Sequence, residues 1–177
     1  MSLALYFAPA TSADLAALQT LINRAYRGTD AAPGWTHEAH LLSGPRTDAP
    51  ALQALLTTPG ARILTARDAA GALVGSVYLE AQPPLLYLGL LAVDPARQAG
   101  GIGRQLLAAA EDYARRQGLS AVQMTVLAER PDLLAWYARR GYRPTGETRP
   151  LHAEHGAGQT RQQLTLQVLA KAVEAKS

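Results

Sequence analysis

The sequence predicts an α/β protein with a central mixed, mostly antiparallel sheet and helices on its faces. Three observations carry this. Residues 62–67, 73–81 and 85–93 are strand-like apolar runs separated by short turn signals, so they pair as antiparallel neighbours. Residues 101–117 place Ile102, Leu106, Leu107, Ala110 and Ala114 at helical spacing. That helix connects the runs 85–93 and 121–127, so those two strands are joined by a crossover and lie parallel.

The remaining elements follow in order. Leu3 to Ala8 reads as a short edge strand. Thr11-Ser12-Ala13-Asp14 supplies an N-cap region for a helix carrying Leu15, Leu18, Leu21, Ile22 and Tyr26, which stops near Gly28. Residues 28–47 hold Gly and Pro with Trp35, His37 and His40, and a short helix capped by Thr36. A helix runs from Asp48 to about Thr57, with Pro50 tolerated in its first turn and Pro59-Gly60 closing it. Asp68 to Gly71 is a hairpin turn, and Pro83-Pro84 breaks the chain again. Gly118 stops the long helix. Leu133 to Arg140 is a short helix. Tyr142 to Thr148 and Arg161 to Leu169 are the last strands, joined by a polar loop rich in Gly and His. From about Lys171 the chain reads as a frayed tail. With no repeat or linker, residues 1–170 form one domain, followed by the tail 171–177.

Composition bounds the function. A chain of 177 residues with 48% hydrophobic and 18% charged residues has enough apolar material for a sizeable core. The absence of cysteine excludes disulfides, thiolate metal sites and a cysteine nucleophile. No apolar run approaches a membrane span, and the first residues lack a signal-peptide pattern, so the cytoplasm is the expected location. The net charge of +3 comes from 15 Arg and 2 Lys, scattered and with few aromatics between them, which argues against nucleic acid as a partner. His152 and His155 lack a clear third ligand, so no metal is expected.

The stretch from Leu85 to Arg104 carries the most chemistry. An apolar strand runs into Asp94-Pro95, and a glycine-dense loop then opens directly into the long helix. Glycines let backbone amides approach a ligand, and the first helical turn leaves N–H groups without intrahelical partners. The helix dipole adds partial positive charge there, and Arg97 and Arg104 flank the loop with full charges. A diphosphate is the expected guest. A P-loop is excluded because no Gly-Lys pair occurs, and a dinucleotide fingerprint fails because its third glycine falls on Leu106.

What stands here is Gln98-x-x-Gly101-x-Gly103 after Val93-Asp94-Pro95. It resembles the acyl-CoA signature of the GNAT superfamily of N-acyltransferases. A second stretch, Arg130-Pro-Asp-Leu-Leu-Ala-Trp-Tyr137-Ala-Arg-Arg-Gly141-Tyr142, is similar to that family's second signature. Together the two cover residues 85–146.

The resemblance implies a GNAT-like fold, in which the two parallel strands splay and admit the pantetheine arm. Gly89 in mid-strand suits such a distortion. It implies acetyl-CoA as co-substrate and a primary amine as acceptor: a small molecule, a peptide N-terminus or a lysine. It assigns the main chain of Leu91, Ala92 and Val93 to pantetheine. It assigns the loop amides of Gln98, Ala99, Gly100, Gly101, Ile102, Gly103 and Arg104 to the pyrophosphate. Tyr137 becomes the general acid, since a phenol with pKa of about 10 can protonate a departing thiolate.

Arg130 replaces a frequent Asn. It would adjust a pantetheine contact, supply charge near the phosphates, or cap the turn before Pro131. For the base, strand 85–93 offers no carboxylate. Glu80, Glu129, His37, His40, His152 and His155 stay open, as does water relayed to backbone carbonyls. The resemblance also places the acceptor site on residues 24–45 and 148–160, with Trp35, His37, Glu38, His40, Arg46 and His152 in or near it. With no cysteine to carry an acyl group, transfer is direct, in a ternary complex. The alternatives are a non-catalytic acyl-CoA-binding module and a nucleotide-phosphate binder. Either a monomer or a homodimer is compatible with the sequence.

Overall fold

A computed structural model describes residues 3–28, 38, 42–151, 159–160 and 164–174. Its main sheet orders seven strands as β1 (Tyr6–Pro9), β3 (Ala61–Arg67), β4 (Leu73–Gln82), β5 (Leu85–Val93), β6 (Ala121–Leu127), β9 (Thr165–Ala172) and β7 (Arg143–Pro150). Every neighbouring pair in it is antiparallel except β5 with β6. A separate ladder pairs β2 (Leu42–Ser43) with β8 (Gln159–Thr160). That pairing joins the two segments on which the resemblance places the acceptor site.

Local chemistry explains the elements. The Asp68 carboxylate accepts from the amides of Ala70 and Ala72, each at 3.0 Å, and turns β3 into β4. Helix α1 (Leu15–Arg27) follows a capping box in which the Thr11 amide donates to Asp14 at 2.8 Å. Asp48 caps α2 (Ala49–Thr57) by accepting from the Ala51 amide at 2.8 Å, with Pro50 in the first turn. Helices α3 (Ile102–Arg116) and α4 (Pro131–Ala138) complete the α-helices among the described residues.

Two cores sandwich the sheet. On one face Leu106, Leu107, Ala110 and Ala114 of α3, with Tyr137 of α4, pack on Leu86, Leu88, Val122 and Met124. On the other, Leu18, Ile22 and Ala25 of α1 and Leu52 of α2 pack on Ile63, Tyr78 and Ala92. Each fully buried leucine contributes about 1.5–3 kcal/mol.

Strand β5 is bulged where it matters. Tyr78 pairs with Gly89 and Ser76 with Ala92, so two steps along β4 face three along β5. Leu90 absorbs the extra residue at φ 49°. Side-chain alternation reverses there: Leu86 and Leu88 face α3 before the bulge, Leu91 and Val93 after it.

Some boundaries differ from expectation. Strand β1 begins at Tyr6, not Leu3. Helix α4 begins at Pro131, because proline suits the first helical position. Strand β9 runs from Thr165 to Ala172, so Lys171 and Ala172 are paired with β6 rather than frayed. Lys171 also donates to Glu111 at 2.9 Å, and the Val173 amide bonds the Ser120 carbonyl. The expected short helix capped by Thr36 lies outside the described residues.

Candidate active site

The parallel pair opens into a cleft. Strands β5 and β6 pair only at Leu85 with Ala121, Leu86 with Val122 and Tyr87 with Gln123. Beyond that, β6 continues along β9 as far as Leu127, while Leu88 to Leu91 turn away from it. A cavity of about 630 Å³ fills the gap, lined by Leu88 to Leu91 on one side and Met124 to Leu127 on the other. It passes through the sheet. Leu133 and Tyr137 reach it from the α4 face, and Tyr26, Glu80 and Tyr87 from the α1 face.

The glycine loop lies past the end of β5. Asp94 accepts from the Ala96 amide at 3.0 Å and starts a 3-10 turn over Pro95–Gly100. Gly101 sits in the left-handed region at φ 73° and opens α3. It has no side chain to cap the helix, so the first-turn amides of α3 are left for another acceptor. Gln98 donates to the Val93 carbonyl at 3.5 Å. Arg97 is drawn off to Asp68, at 2.9 Å. Burial, then Arg139 and then Arg104 hold the pKa of Arg140 below its ordinary value, so three like charges cluster between the start of α3 and the end of α4.

Tyr137 is 5% exposed and meets Trp136 and Tyr142 edge-on, at ring separations of 5.0 and 5.9 Å. It is therefore packed and in the cleft at once. Its hydroxyl has no hydrogen-bond partner among the described residues, and burial raises its pKa far above that of an ordinary phenol. The proton stays on oxygen at any working pH. Gly141 takes φ 93° just past α4, and the Tyr142 hydroxyl donates to Glu111 at 3.0 Å. The Gly-aromatic pair of the second motif thus ties α4 to α3.

Arg130 is 4% exposed and N-caps α4 by position, with a two-pronged contact to Asp132 at 3.0 Å on each prong. That contact holds the Asp132 carboxyl below the usual range. Arg130 also lines the cleft.

The α1 side of the cleft is polar. The Tyr26 hydroxyl donates to the Leu91 carbonyl at 2.8 Å. Burial raises the Tyr26 phenol above its ordinary value, with Arg46 opposing. Glu38, 7% exposed, accepts from Arg27 at 2.7 Å, and Arg46 approaches the same oxygen at 3.8 Å. Glu80 accepts from the Tyr78 hydroxyl at 2.8 Å.

Of the residues named from sequence, Leu91, Arg130 and Tyr137 line the cleft, as do Glu38, Glu80 and Arg46. Residues Ala92, Val93 and the loop Gln98 to Arg104 do not line it; they continue from its β5 wall to the open end of α3. Glu129 is elsewhere, accepting from the Thr165 amide at 3.3 Å. Trp35, His37, His40, His152 and His155 lie outside the described residues. Sequence reasoning did not single out Tyr26, which lines the cleft. It read as the last apolar position of a helix, and no local signal marks its hydroxyl.

This architecture defines a class, and the comparisons agree. The model of the acetyltransferase (GNAT) family matches residues 16–142, and the chain belongs to that family. Over 83 residues it is 40% identical to the mycothiol acetyltransferase of Clavibacter michiganensis subsp. michiganensis, a stretch that is 47% of this chain and 27% of that protein. The fold is similar to the ribosomal-protein-S18-alanine N-acetyltransferase of Escherichia coli, with TM-score 0.73 and 16% identity over 98% of this chain and 97% of that one. It is also similar to yncA of Salmonella typhimurium, solved with its cofactor acetyl-CoA, with TM-score 0.66 and 20% identity over 98% and 96% of the two chains. Among the described residues no helix is long and apolar enough to cross a membrane.

Proposed function

We propose that this chain is an N-acetyltransferase that moves an acetyl group from acetyl-CoA to a primary amine, directly, in a ternary complex. One observation carries the reading. The cleft between the parted parallel strands runs through the sheet and holds a buried phenol, Tyr137, and a carboxylate, Glu80, in one cavity.

The residues present suit acetyl-CoA. The edge of β5 that has parted from β6, at Leu91, Ala92 and Val93, takes the pantetheine arm as an added strand would. The amides of Gln98 through Arg104, at a helix start with no side-chain cap, take the diphosphate. Arg130, in its two-pronged contact with Asp132, lines the cleft at the start of α4. The bound donor supplies a thioester carbonyl activated for attack by nitrogen. Glu80 accepts the proton that nitrogen sheds as the C–N bond forms, and Tyr78 fixes that carboxylate from its other side. Tyr137 donates a hydrogen bond to sulfur as the C–S bond breaks. A phenol this deeply buried is a weaker acid than a thiol of pKa about 8.5, so Tyr137 steadies the departing charge and water completes the protonation.

A thermal-shift titration tests the coenzyme site, with acetyl-CoA and CoA against ATP and NAD. At one hundred times its dissociation constant a ligand adds about 2.7 kcal/mol, a rise of roughly 5–11 °C for a chain of this size. A rise with acetyl-CoA and CoA alone supports the reading; no rise with either overturns it. Release of free CoA in an amine screen then separates an enzyme from a non-catalytic acyl-CoA-binding module.

A further inference from the structure

Between the start of α3 and the end of α4, three arginines stand close without a counter-charge. Arg104 is exposed on the first turn of α3. Its Nη2 lies 3.6 Å from where a Cβ on Gly101 would stand, so the guanidinium folds back over the glycine that opens the helix. Arg139 and Arg140 follow α4, Arg139 exposed and Arg140 half-buried. Among the described residues none of the three pairs with a carboxylate. Arg97, by contrast, is drawn off to Asp68, and Arg130 is held by Asp132.

Arg140 is fixed in place. Its Nη1 donates to the Trp136 carbonyl at 2.7 Å, and its guanidinium carbon lies 3.6 Å from the centre of the Trp136 ring. Its Nε is shut away from solvent and has no hydrogen-bond partner among the described residues. Burial first, then the charges of Arg139 and Arg104, work against its protonated form, yet an arginine stays charged. An orphaned N–H and a like-charge repulsion at one spot call for an explanation. The end of α4 explains part of it, because cations complement the last carbonyls of a helix. Arg143 already serves there, donating to the Ala138 carbonyl at 2.8 Å. A helix end does not explain Arg104, which stands at the start of α3, where the dipole disfavours a cation. An anion bound between Arg104 and Arg140 relieves both conflicts.

We propose that Arg140 and Arg104 hold the 3′-phosphate of the coenzyme, with Arg139 adding charge at the rim, so that this chain tells CoA from its dephospho form. The proposal rests on the acetyl-CoA reading and names the side chains behind its donor specificity. The diphosphate is already matched by the loop amides of Gln98 through Arg104, which bind without side-chain charge. The 3′-phosphate is the remaining anion of the ligand. As a phosphate monoester it carries a charge of roughly −1.5 to −2 at neutral pH, enough to answer two guanidiniums. Their forked N–H donors match its oxygens.

The test is calorimetric titration with CoA and with 3′-dephospho-CoA, which needs no turnover. The wild-type chain is expected to bind CoA about tenfold or more tightly than the dephospho form, the effect of charge-assisted hydrogen bonds to one phosphate. Arg140→Gln is expected to bring the two affinities within about threefold, by weakening CoA and leaving 3′-dephospho-CoA unchanged. Arg104→Gln, which keeps its backbone amide, is expected to act in the same direction. Arg143→Gln removes a cation from the same helix end and is expected to keep the preference. Melts without ligand check that each variant folds, and if Arg140→Gln does not, the exposed Arg104 decides. Equal wild-type affinity for the two ligands would overturn the proposal, as would a preference that survives both glutamine variants. A loss that falls equally on both ligands would move the arginines to the diphosphate and overturn it too. So would a preference erased by Arg143→Gln, which would reduce it to general charge. A wild-type chain that binds neither ligand would instead overturn the acetyl-CoA reading, and the 3′-phosphate site with it.

Discussion

The hydroxyl of Tyr26, on α1, donates to the carbonyl oxygen of Leu91, in the bulge of β5, at 2.8 Å. This bond crosses from the α1 side of the cleft to the edge of β5 that is proposed to take pantetheine. It also fastens the residue next to Leu90, whose φ of 49° is unfavourable for a leucine. Tyr26→Phe removes the bond and keeps the ring. The expected loss is about 0.5–1.5 kcal/mol, a fall in Tm of roughly 1–6 °C. If the bond aims the β5 edge, acetyl-CoA also binds roughly fivefold more weakly, the equivalent of about 1 kcal/mol. A lower Tm with unchanged acetyl-CoA affinity would make the bond structural only.

Tyr137 separates chemistry from packing in a different way. Its ring is wedged between Trp136 and Tyr142, but its hydroxyl bonds nothing among the described residues. Tyr137→Phe therefore keeps the packing and strands no partner, and Tm should move by less than about 1 °C. Turnover should fall by about 10²–10³ with acetyl-CoA affinity held, the effect of losing one hydrogen-bond donor to the departing charge. Because burial raises this phenol so far, no alkaline limb from Tyr137 should appear in the pH–rate profile below about pH 10. Unchanged turnover in the variant removes Tyr137 from the mechanism.

These two tyrosines mark where the sequence is legible and where it is not. The apolar periods of 85–93, 101–117 and 121–127 were enough to predict the parallel pair, because a crossover helix leaves few alternatives. The position of the glycine loop at the start of α3 and of Tyr137 on a short helix was legible because each is local to a motif. Tyr26 was not, since its bond to Leu91 spans the fold and a tyrosine on an apolar helix face reads as core. The bulge was also hidden. Gly89 hinted at distortion, but Leu90 carries it, and which residue absorbs an extra step depends on register with β4. Glu80 could not be told from Glu129 in sequence, as only the splay decides which carboxylate faces the cleft.

Gly75 sets how closely α3 sits on the sheet. A Cβ there would lie 2.8 Å from Leu106 Cδ1, 3.0 Å from Ile102 Cγ2 and 3.3 Å from the Ala92 carbonyl oxygen. Leu106 and Ile102 are fully buried, so neither can move aside freely. Gly75→Ala should cost about 1–3 kcal/mol through overpacking. The strain falls at the first turn of α3, beside the glycine loop, so acetyl-CoA affinity should drop as well. Chemical denaturation and a coenzyme titration on the same variant measure the two effects. If neither moves, the packing of α3 against β4 is looser than these distances imply.

Asp68 joins the β3–β4 hairpin to the glycine loop. It accepts from the amides of Ala70 and Ala72, and it pairs with Arg97, which lies in the turn before Gly101. The backbone bond from Ala72 first, with further help from Arg97, holds its carboxyl below the ordinary range. A group whose folded pKa is depressed adds stability that is present above its unfolded value, near 3.9, and disappears as pH falls through the folded value. Asp68→Asn should therefore lower Tm by a constant amount from neutral pH down to about pH 5. Below about pH 4 the gap between wild type and variant should narrow, and it should vanish once Asp68 is protonated in both states. The variant should also bind acetyl-CoA more weakly at neutral pH, because Arg97 loses its anchor and the loop before Gly101 loosens. Thermal melts from pH 2.5 to 7 with a coenzyme titration at pH 7 check both. A gap that stays the same at every pH would assign the effect to lost hydrogen-bond geometry rather than to the carboxylate charge.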